Sequence, residues 1–195
     1  MKDRRYFCMR FGPDYLKYDK LFLQQLQKHL NSTFQSYSQE NRTNAEYIYD
    51  TVDGWVVEEL LVDLLKQHFK VNRSGLDSER KIITGKLSSI PDLTVQNGDL
   101  TVQIEVQMSN KQLDAYHVKT NKANRLKKAK GKLILVFFVR PLSKFFIVTP
   151  QTFDKLEDPK PNPRIGNKMC YEIKKPNLLS PEELVEKIRR VFDKH

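Results

Sequence analysis

Two short stretches rich in β-branched residues, with a turn signal between them, constrain the fold of this chain more than any other feature. They span residues 93–95 and 100–107, and Asn97-Gly98 lies between them. An Asn-Gly pair tolerates the positive backbone dihedral angles of a tight hairpin turn. The sequence therefore predicts an antiparallel β-hairpin.

Two acidic residues lie where the open end of this hairpin is expected. Asp92 precedes the first stretch, and Glu105 lies towards the end of the second. Mg²⁺ prefers oxygen ligands, and one or two carboxylates leave its other positions to water and phosphate. The pair therefore predicts a magnesium site, at which Mn²⁺ is expected to substitute. The alternative is an ordinary turn residue and a solvent-facing strand residue, which a half-exposed strand often carries.

The charge balance of the chain favours a polyanionic partner. Its 195 residues include 34 Lys or Arg and 24 Asp or Glu, which gives a net charge of +10. Such a balance attracts DNA, RNA or an anionic membrane surface. The alternative is a basic protein that binds no polyanion. The length suffices for one domain with a hydrophobic core.

Several classes of protein and site are not indicated by the sequence. Cys8 and Cys170 form no disulfide or metal-binding framework, and both suit a reducing cytoplasm. The four histidines show no metal-ligand spacing. The longest apolar run, residues 133–139, is too short to cross a bilayer. We therefore expect a cytoplasmic protein without a membrane partner.

Apolar residues at helical spacing predict helices before the hairpin. One helix is expected over residues 15–30, and another begins near residue 44 and breaks near Asp53-Gly54. The clearest amphipathic helix spans residues 54–69, and Glu58 lies on its apolar stripe. A carboxylate in that position needs a partner. The alternative is a glutamate at the edge of the stripe that reaches solvent.

The segment after the hairpin predicts a long helix, two strands and a final helix. The long helix is expected over residues 110–130, with strands at 133–139 and 145–148. Ser180-Pro181 is a strong signal for the start of the last helix. Short strands are also expected at residues 70–73, 81–84 and 170–173. This order predicts an α/β fold, a mixed central β-sheet flanked by helices with an N-terminal helical extension.

The order of these motifs resembles the PD-(D/E)XK nuclease superfamily. The motifs that match are Pro91-Asp92, Glu105-Val106-Gln107, and Glu58 four residues after a glycine. The resemblance covers residues 54–150, where a helix and a buried strand follow the acidic motif. It implies a restriction-endonuclease-like core and a Mg²⁺-dependent endodeoxyribonuclease. Residues 1–50 are then an extension of the same domain, and residues 51–195 form the catalytic part.

The resemblance implies a role for each matched residue. Asp92 and Glu105 are implied as catalytic carboxylates that bind the metal, with the Val106 carbonyl as a neutral ligand. Glu58 is implied as a further catalytic ligand, through water or at a second ion. Glu105 and Gln107 share one face of their strand, since side chains alternate. The Gln107 amide is therefore expected beside the attacking water.

Gln107 departs from the lysine that is commonest at its position in this family. A lysine carries a charge that lowers the pKa of the attacking water, whereas an amide orients the water without contributing charge. Three possibilities are open. The metal does most of the activation, Lys111 or Lys119 supplies the charge from the next helix, or the site is inactive in a DNA-binding protein.

A run of basic residues follows the acidic motif and predicts contact with DNA phosphates. It lies on the helix expected over residues 110–130, and its predicted DNA-binding members are Lys111, Lys119, Lys122, Arg125 and Lys128. The alternative is a basic helix face that is only solvated.

A Type II restriction endonuclease is the favoured subclass. Sequence at both ends of the core is available to read bases, and some restriction enzymes of this family carry Gln or Glu in place of the lysine. Such enzymes usually act as homodimers on palindromic double-stranded DNA, so a homodimer is expected. The alternatives are a Holliday-junction resolvase or repair nuclease, a catalytically inactive DNA-binding protein, and a basic scaffold that binds RNA.

Overall fold

The structure, a computed structural model, describes residues 16–31, 43–75, 79–82 and 90–193. Its helices are α1 (Leu16–His29), α2 (Asn44–Leu65), α3 (Thr120–Lys128) and α4 (Pro181–Phe192). Its strands are β1 (Lys70–Arg73), β2 (Leu93–Asn97), β3 (Leu100–Ser109), β4 (Ala115–Lys119), β5 (Leu133–Val139), β6 (Lys144–Val148), β7 (Lys160–Asn162) and β8 (Lys168–Lys174). Within these ranges no helix is long and apolar enough to cross a membrane.

Five strands form the main sheet, in the order β1-β2-β3-β5-β6. β3 and β5 run parallel, and the other neighbours are antiparallel. The chain between β3 and β5 passes through β4 and α3, since parallel neighbours need a crossover. β4, β8 and β7 form a smaller antiparallel sheet. The predicted α/β fold, a mixed sheet flanked by helices, is confirmed.

The main sheet separates two apolar clusters. β5 is buried along its whole length, so both of its faces are covered. Val136 and Phe138 pack in one cluster with residues of α1, α2 and α4. Leu135 and Phe137 pack in the other with residues of α3 and the smaller sheet. β5 therefore presents alternate residues to the two layers.

β3 presents its acidic motif to the layer that contains α3. Ile104 and Val106 belong to the cluster on the side of α1, α2 and α4. Glu105 and Gln107 lie on the opposite face, because side chains alternate along a strand. Glu105 is in register with Leu135 of β5, whose side chain packs on the α3 side. The predicted shared face of Glu105 and Gln107 is therefore present.

The predicted hairpin is confirmed, with Asn97 of β2 paired to Leu100 of β3. Gly98 and Asp99 form the two-residue turn. Gly98 has a φ of +59°, a region that glycine adopts without the steric cost that a Cβ brings. Asn97 thus ends the strand, and the glycine provides the left-handed position of the turn.

α2 is one continuous helix, so the predicted break near Asp53-Gly54 is wrong. The Asp53 carboxylate is fully buried and accepts hydrogen bonds from both terminal nitrogens of Arg140, at 2.9 and 2.7 Å. The Asn110 side chain bonds to Arg140 at 2.6 Å and to Asp53 at 3.3 Å. Asp tends to end helices by bonding to nearby backbone, but here it bonds to residues that follow β3 and β5.

The long helix predicted over residues 110–130 is wrong, because β4 lies in its middle and α3 forms only its second half. Tyr116 and Val118 are buried while His117 between them is half-buried, as expected for a strand with one covered face. Tyr116 lies opposite Ile173 of β8. This pairing joins segments distant in sequence, so local periodicity did not indicate it.

Most of the other predicted elements lie where they are expected, namely α1, β1, β5, β6, β8 and α4. α4 begins with a capping box in which the side chains of Ser180 and Glu183 bond to each other's backbone N–H. Lys81 and Ile82 lie outside any strand, so the strand expected at 81–84 is wrong for them. Residues 83–84 and Cys8 lie outside the described residues.

Candidate active site

Asp92 lies beside the Glu105-Val106 segment of β3, at the end of the hairpin opposite its turn. Asp92 directly precedes β2, whose first residue pairs with Ile104 of β3. The Asp92 carboxylate accepts a hydrogen bond from the Val106 N–H at 2.6 Å. This bond holds Asp92 against the residue that follows Glu105. The structure thus places Asp92 beside the part of β3 that carries Glu105.

Glu105 is buried against α3, with 9% of its surface exposed. One of its carboxylate oxygens lies 2.8 Å from Nζ of Lys122, and the other lies 3.3 Å from Nη2 of Arg125. Lys122 and Arg125 are three residues apart, so they project from one side of the helix. A buried carboxylate needs such partners. The interpretation of Glu105 as an ordinary solvent-facing strand residue is therefore wrong.

Glu58 is also buried, with 7% of its surface exposed, and its partner is Arg80. Glu58 Oε2 lies 2.6 Å from Arg80 Nη1. The neighbouring Glu59 pairs with Arg73, the last residue of β1, and lies 3.7 Å from Arg80 Nη2. The interpretation of Glu58 as a residue that reaches solvent is therefore wrong. A basic residue thus pairs with this buried acid, as Lys122 and Arg125 pair with Glu105.

Arg80, which the sequence did not indicate, is held in place by an aromatic pair. Its guanidinium lies 5.9 Å from the centroid of the Trp55 ring, and the His29 ring packs edge-on against Trp55 at 5.5 Å. Burial lowers the pKa of His29, and the charge of Lys28 lowers it further, so the imidazole is mostly uncharged at neutral pH.

The backbone of Arg80 has a φ of +56°, which is uncommon for a residue with a side chain.

Gln107 has a buried side-chain oxygen to which no described residue donates a hydrogen bond. An unpaired buried oxygen of this kind costs about 1–3 kcal/mol. A water molecule that donates to this oxygen would therefore be stabilised. Because Gln107 and Glu105 lie on the same face of β3, this acceptor belongs to the same site.

Asp92 and Glu105 fit the donor set of a hard divalent cation. Mg²⁺ binds to proteins through one or two carboxylates and keeps several waters, and Gln107 offers an acceptor to such a water. In the part of the chain that the structure describes, no three His, Cys, Asp or Glu side chains are grouped to hold a metal ion. Glu58 therefore does not complete a three-acid cluster with the other two.

Lys111 and Lys119, the two lysines suggested as replacements for the motif lysine, do not lie on a helix. Lys111 is exposed in the turn after β3, and Lys119 is the last residue of β4. The lysine that pairs with Glu105 is Lys122, for which the sequence predicts DNA contact alone. The choice of Lys111 and Lys119 followed from the predicted helix over residues 110–130. Because β4 replaces the middle of that helix, different side chains face β3.

Two solved nuclease structures are similar to this fold. One is Hjc, a Holliday junction resolvase from Archaeoglobus fulgidus, with 21% sequence identity and a TM-score of 0.40 over 65% of this chain and 96% of that chain. The other is a nuclease from a fusselovirus, with 15% identity and a TM-score of 0.41 over 71% of this chain and 89% of that chain. No protein-family profile and no curated protein matches the sequence.

Proposed function

We propose that this protein is a metal-dependent endonuclease that hydrolyses phosphodiester bonds of double-stranded DNA. The observation that carries the proposal is the position of Asp92 beside Glu105, next to the basic helix α3. Two carboxylates that share a site suit Mg²⁺ or Mn²⁺. The cations of α3 and the net charge of +10 suit the phosphate backbone of DNA.

Asp92, Glu105 and the Val106 carbonyl would hold the ion, which when bound supplies an activated water and neutralises charge at the phosphate. The Val106 N–H orients Asp92 through its hydrogen bond. The N–H and C=O of one strand residue point to the same side of the strand, so the Val106 carbonyl opens towards Asp92. Gln107 would accept a hydrogen bond from the attacking water and so orient it. Glu58 is held by Arg80, and its role as a further ligand stays a prediction.

The exposed side of α3 is the proposed contact with DNA phosphates. Asn121, Asn124 and Lys128 are exposed there, while Lys122 and Arg125 lie between this surface and Glu105. Lysine, arginine and asparagine side chains commonly bond to phosphate oxygens, which positions the duplex without reading its sequence. The helix would therefore place a phosphodiester bond over the two carboxylates.

Within this class we favour a Type II restriction endonuclease that acts as a homodimer. The support is the sequence outside residues 54–150, which is available to read bases, and the glutamine in the position of the motif lysine. A two-fold dimer would match the symmetry of a palindromic site. A structure-selective nuclease, such as a Holliday-junction resolvase or a repair nuclease, carries the same site chemistry and is the alternative.

Digestion of supercoiled plasmid and of a synthetic four-way junction, with Mg²⁺ and with EDTA, tests the proposal. We expect Mg²⁺-dependent cleavage, and mapping of the product ends distinguishes the subclasses. Discrete plasmid fragments with a common end sequence support restriction, whereas faster cutting of the junction than of linear duplex supports a resolvase. If the wild-type protein binds DNA but cuts neither substrate in Mg²⁺ or Mn²⁺, the enzyme proposal fails and a DNA-binding protein remains.

A further inference from the structure

We propose that Lys122 of α3 takes the catalytic place of the lysine that Gln107 replaces. The inference rests on the proposed nuclease function and assigns a residue that the sequence motif does not contain. In the motif the lysine lies on the strand that carries the glutamate. In this protein Lys122 instead reaches Glu105 from α3, the helix between β3 and β5.

The contacts of Glu105 carry the assignment. Lys122 Nζ lies 2.8 Å from Glu105 Oε1, so its charge lies at the carboxylate proposed to hold the metal. Gln107, on the same face of β3, provides a hydrogen-bond acceptor but no charge. A motif lysine combines placement at the water with a positive charge. Here the Gln107 amide would supply the placement and the Lys122 ammonium the charge.

Two cations lie against the Glu105 carboxylate, which is more than its negative charge requires. Arg125 already lies 3.3 Å from the second carboxylate oxygen, and one cation suffices to pair one buried carboxylate. Lys122 brings a second positive charge to the same group, with 26% of its side chain exposed. A partly exposed cation at a site that would receive a phosphate favours the anionic substrate. Its ammonium is therefore placed between the carboxylate and the arriving phosphodiester.

Lys122 is a better candidate than Arg125 for contact with the attacking water. An ammonium is a compact charge with three donors on a flexible chain, so it can turn from the carboxylate to a water or phosphate oxygen. A guanidinium is planar and suits a fixed contact with a carboxylate. We therefore assign Lys122 as the catalytic cation and Arg125 as the residue that positions Glu105.

The assignment is tested by moving the lysine back to the strand. We expect Lys122→Ala to reduce Mg²⁺-dependent cleavage by about a hundredfold, as loss of a charged catalytic donor commonly does. We expect the double variant Lys122→Ala/Gln107→Lys to cleave DNA at least about tenfold faster than Lys122→Ala. A lysine on α3 with only a structural role would not be replaced by a lysine on β3. Lys187→Ala, at an exposed position on α4, is the matched control with unchanged cleavage.

Thermal unfolding and DNA binding in EDTA accompany the cleavage assay. Thermal unfolding should stay near wild type in Lys122→Ala, because Arg125 still pairs with Glu105. DNA binding in EDTA should weaken only modestly, since the variant loses one of several proposed phosphate contacts on α3. The assignment is overturned if the wild type cleaves and Lys122→Ala cleaves at the same rate. It is also overturned if the double variant folds and binds DNA but regains nothing. A wild type that does not cleave overturns the proposed function itself, and the assignment with it.

Discussion

Replacing Asp92 with Asn is expected to reduce Mg²⁺-dependent DNA cleavage at least about a hundredfold. A metal ligand in such a site stabilises the transition state by several kcal/mol, and each 1.36 kcal/mol corresponds to a factor of ten in rate. Asparagine keeps an oxygen that can accept the Val106 N–H bond, which is 2.6 Å long in the structure. The substitution thus removes the charge while it preserves the local fold.

The matched control for this prediction is Asp99→Asn, at the exposed turn of the same hairpin. It removes one carboxylate charge at the other end of the hairpin and should leave cleavage unchanged. DNA binding in EDTA and thermal unfolding should be near wild type for both variants. Equal cleavage rates for Asp92→Asn and Asp99→Asn would show that Asp92 does not hold the metal.

Arg140→Ala is expected to lower the free energy of unfolding by about 3–5 kcal/mol, the usual cost of leaving one member of a buried ion pair alone. The Arg140 and Asp53 side chains are 2% and 0% exposed and are joined by two hydrogen bonds. Without the guanidinium, the Asp53 carboxylate stays buried with no opposite charge from Arg140. Urea unfolding followed by fluorescence of the single tryptophan, the buried Trp55, measures the loss.

Arg189→Ala provides the control, because Arg189 pairs with Glu186 on the exposed face of α4. An exposed pair of this kind contributes at most about 1 kcal/mol. The double variant Asp53→Ala/Arg140→Ala should lose less than the sum of the two single variants, since the two residues interact directly. An additive double variant, or a loss from Arg140→Ala no larger than that from Arg189→Ala, would contradict the structural role of this pair.

Elements with a local signal were predictable from the sequence. The β2–β3 hairpin follows from a turn whose glycine adopts a positive φ, and α4 follows from the Ser180-Pro181 start with Glu183 in its first turn. In each case the residues that determine the geometry lie within four positions of each other. The position of Asp92 beside Glu105 depends only on the hairpin register, so it too followed from the local pattern.

Features that depend on distant residues were not predictable. Asp53 has the sequence signature of a helix end, but its partner Arg140 lies 87 residues away. β4 was mistaken for the start of a helix because its pairing with β8 is equally nonlocal. Arg80 and Lys122 were not recognised as the partners of the acids, since no periodic pattern links a loop or a crossover helix to a buried carboxylate.

The central claim, that Asp92 and Glu105 hold a divalent ion, is tested most directly by metal binding. Free Mn²⁺ can be measured by electron paramagnetic resonance as the ion is titrated into wild type, Asp92→Asn and Asp99→Asn. We expect wild type and Asp99→Asn to bind the ion equally, and Asp92→Asn to bind it at least about tenfold more weakly, since it lacks one of two anionic ligands. Equal binding by all three proteins, or no binding by the wild type, would contradict the account.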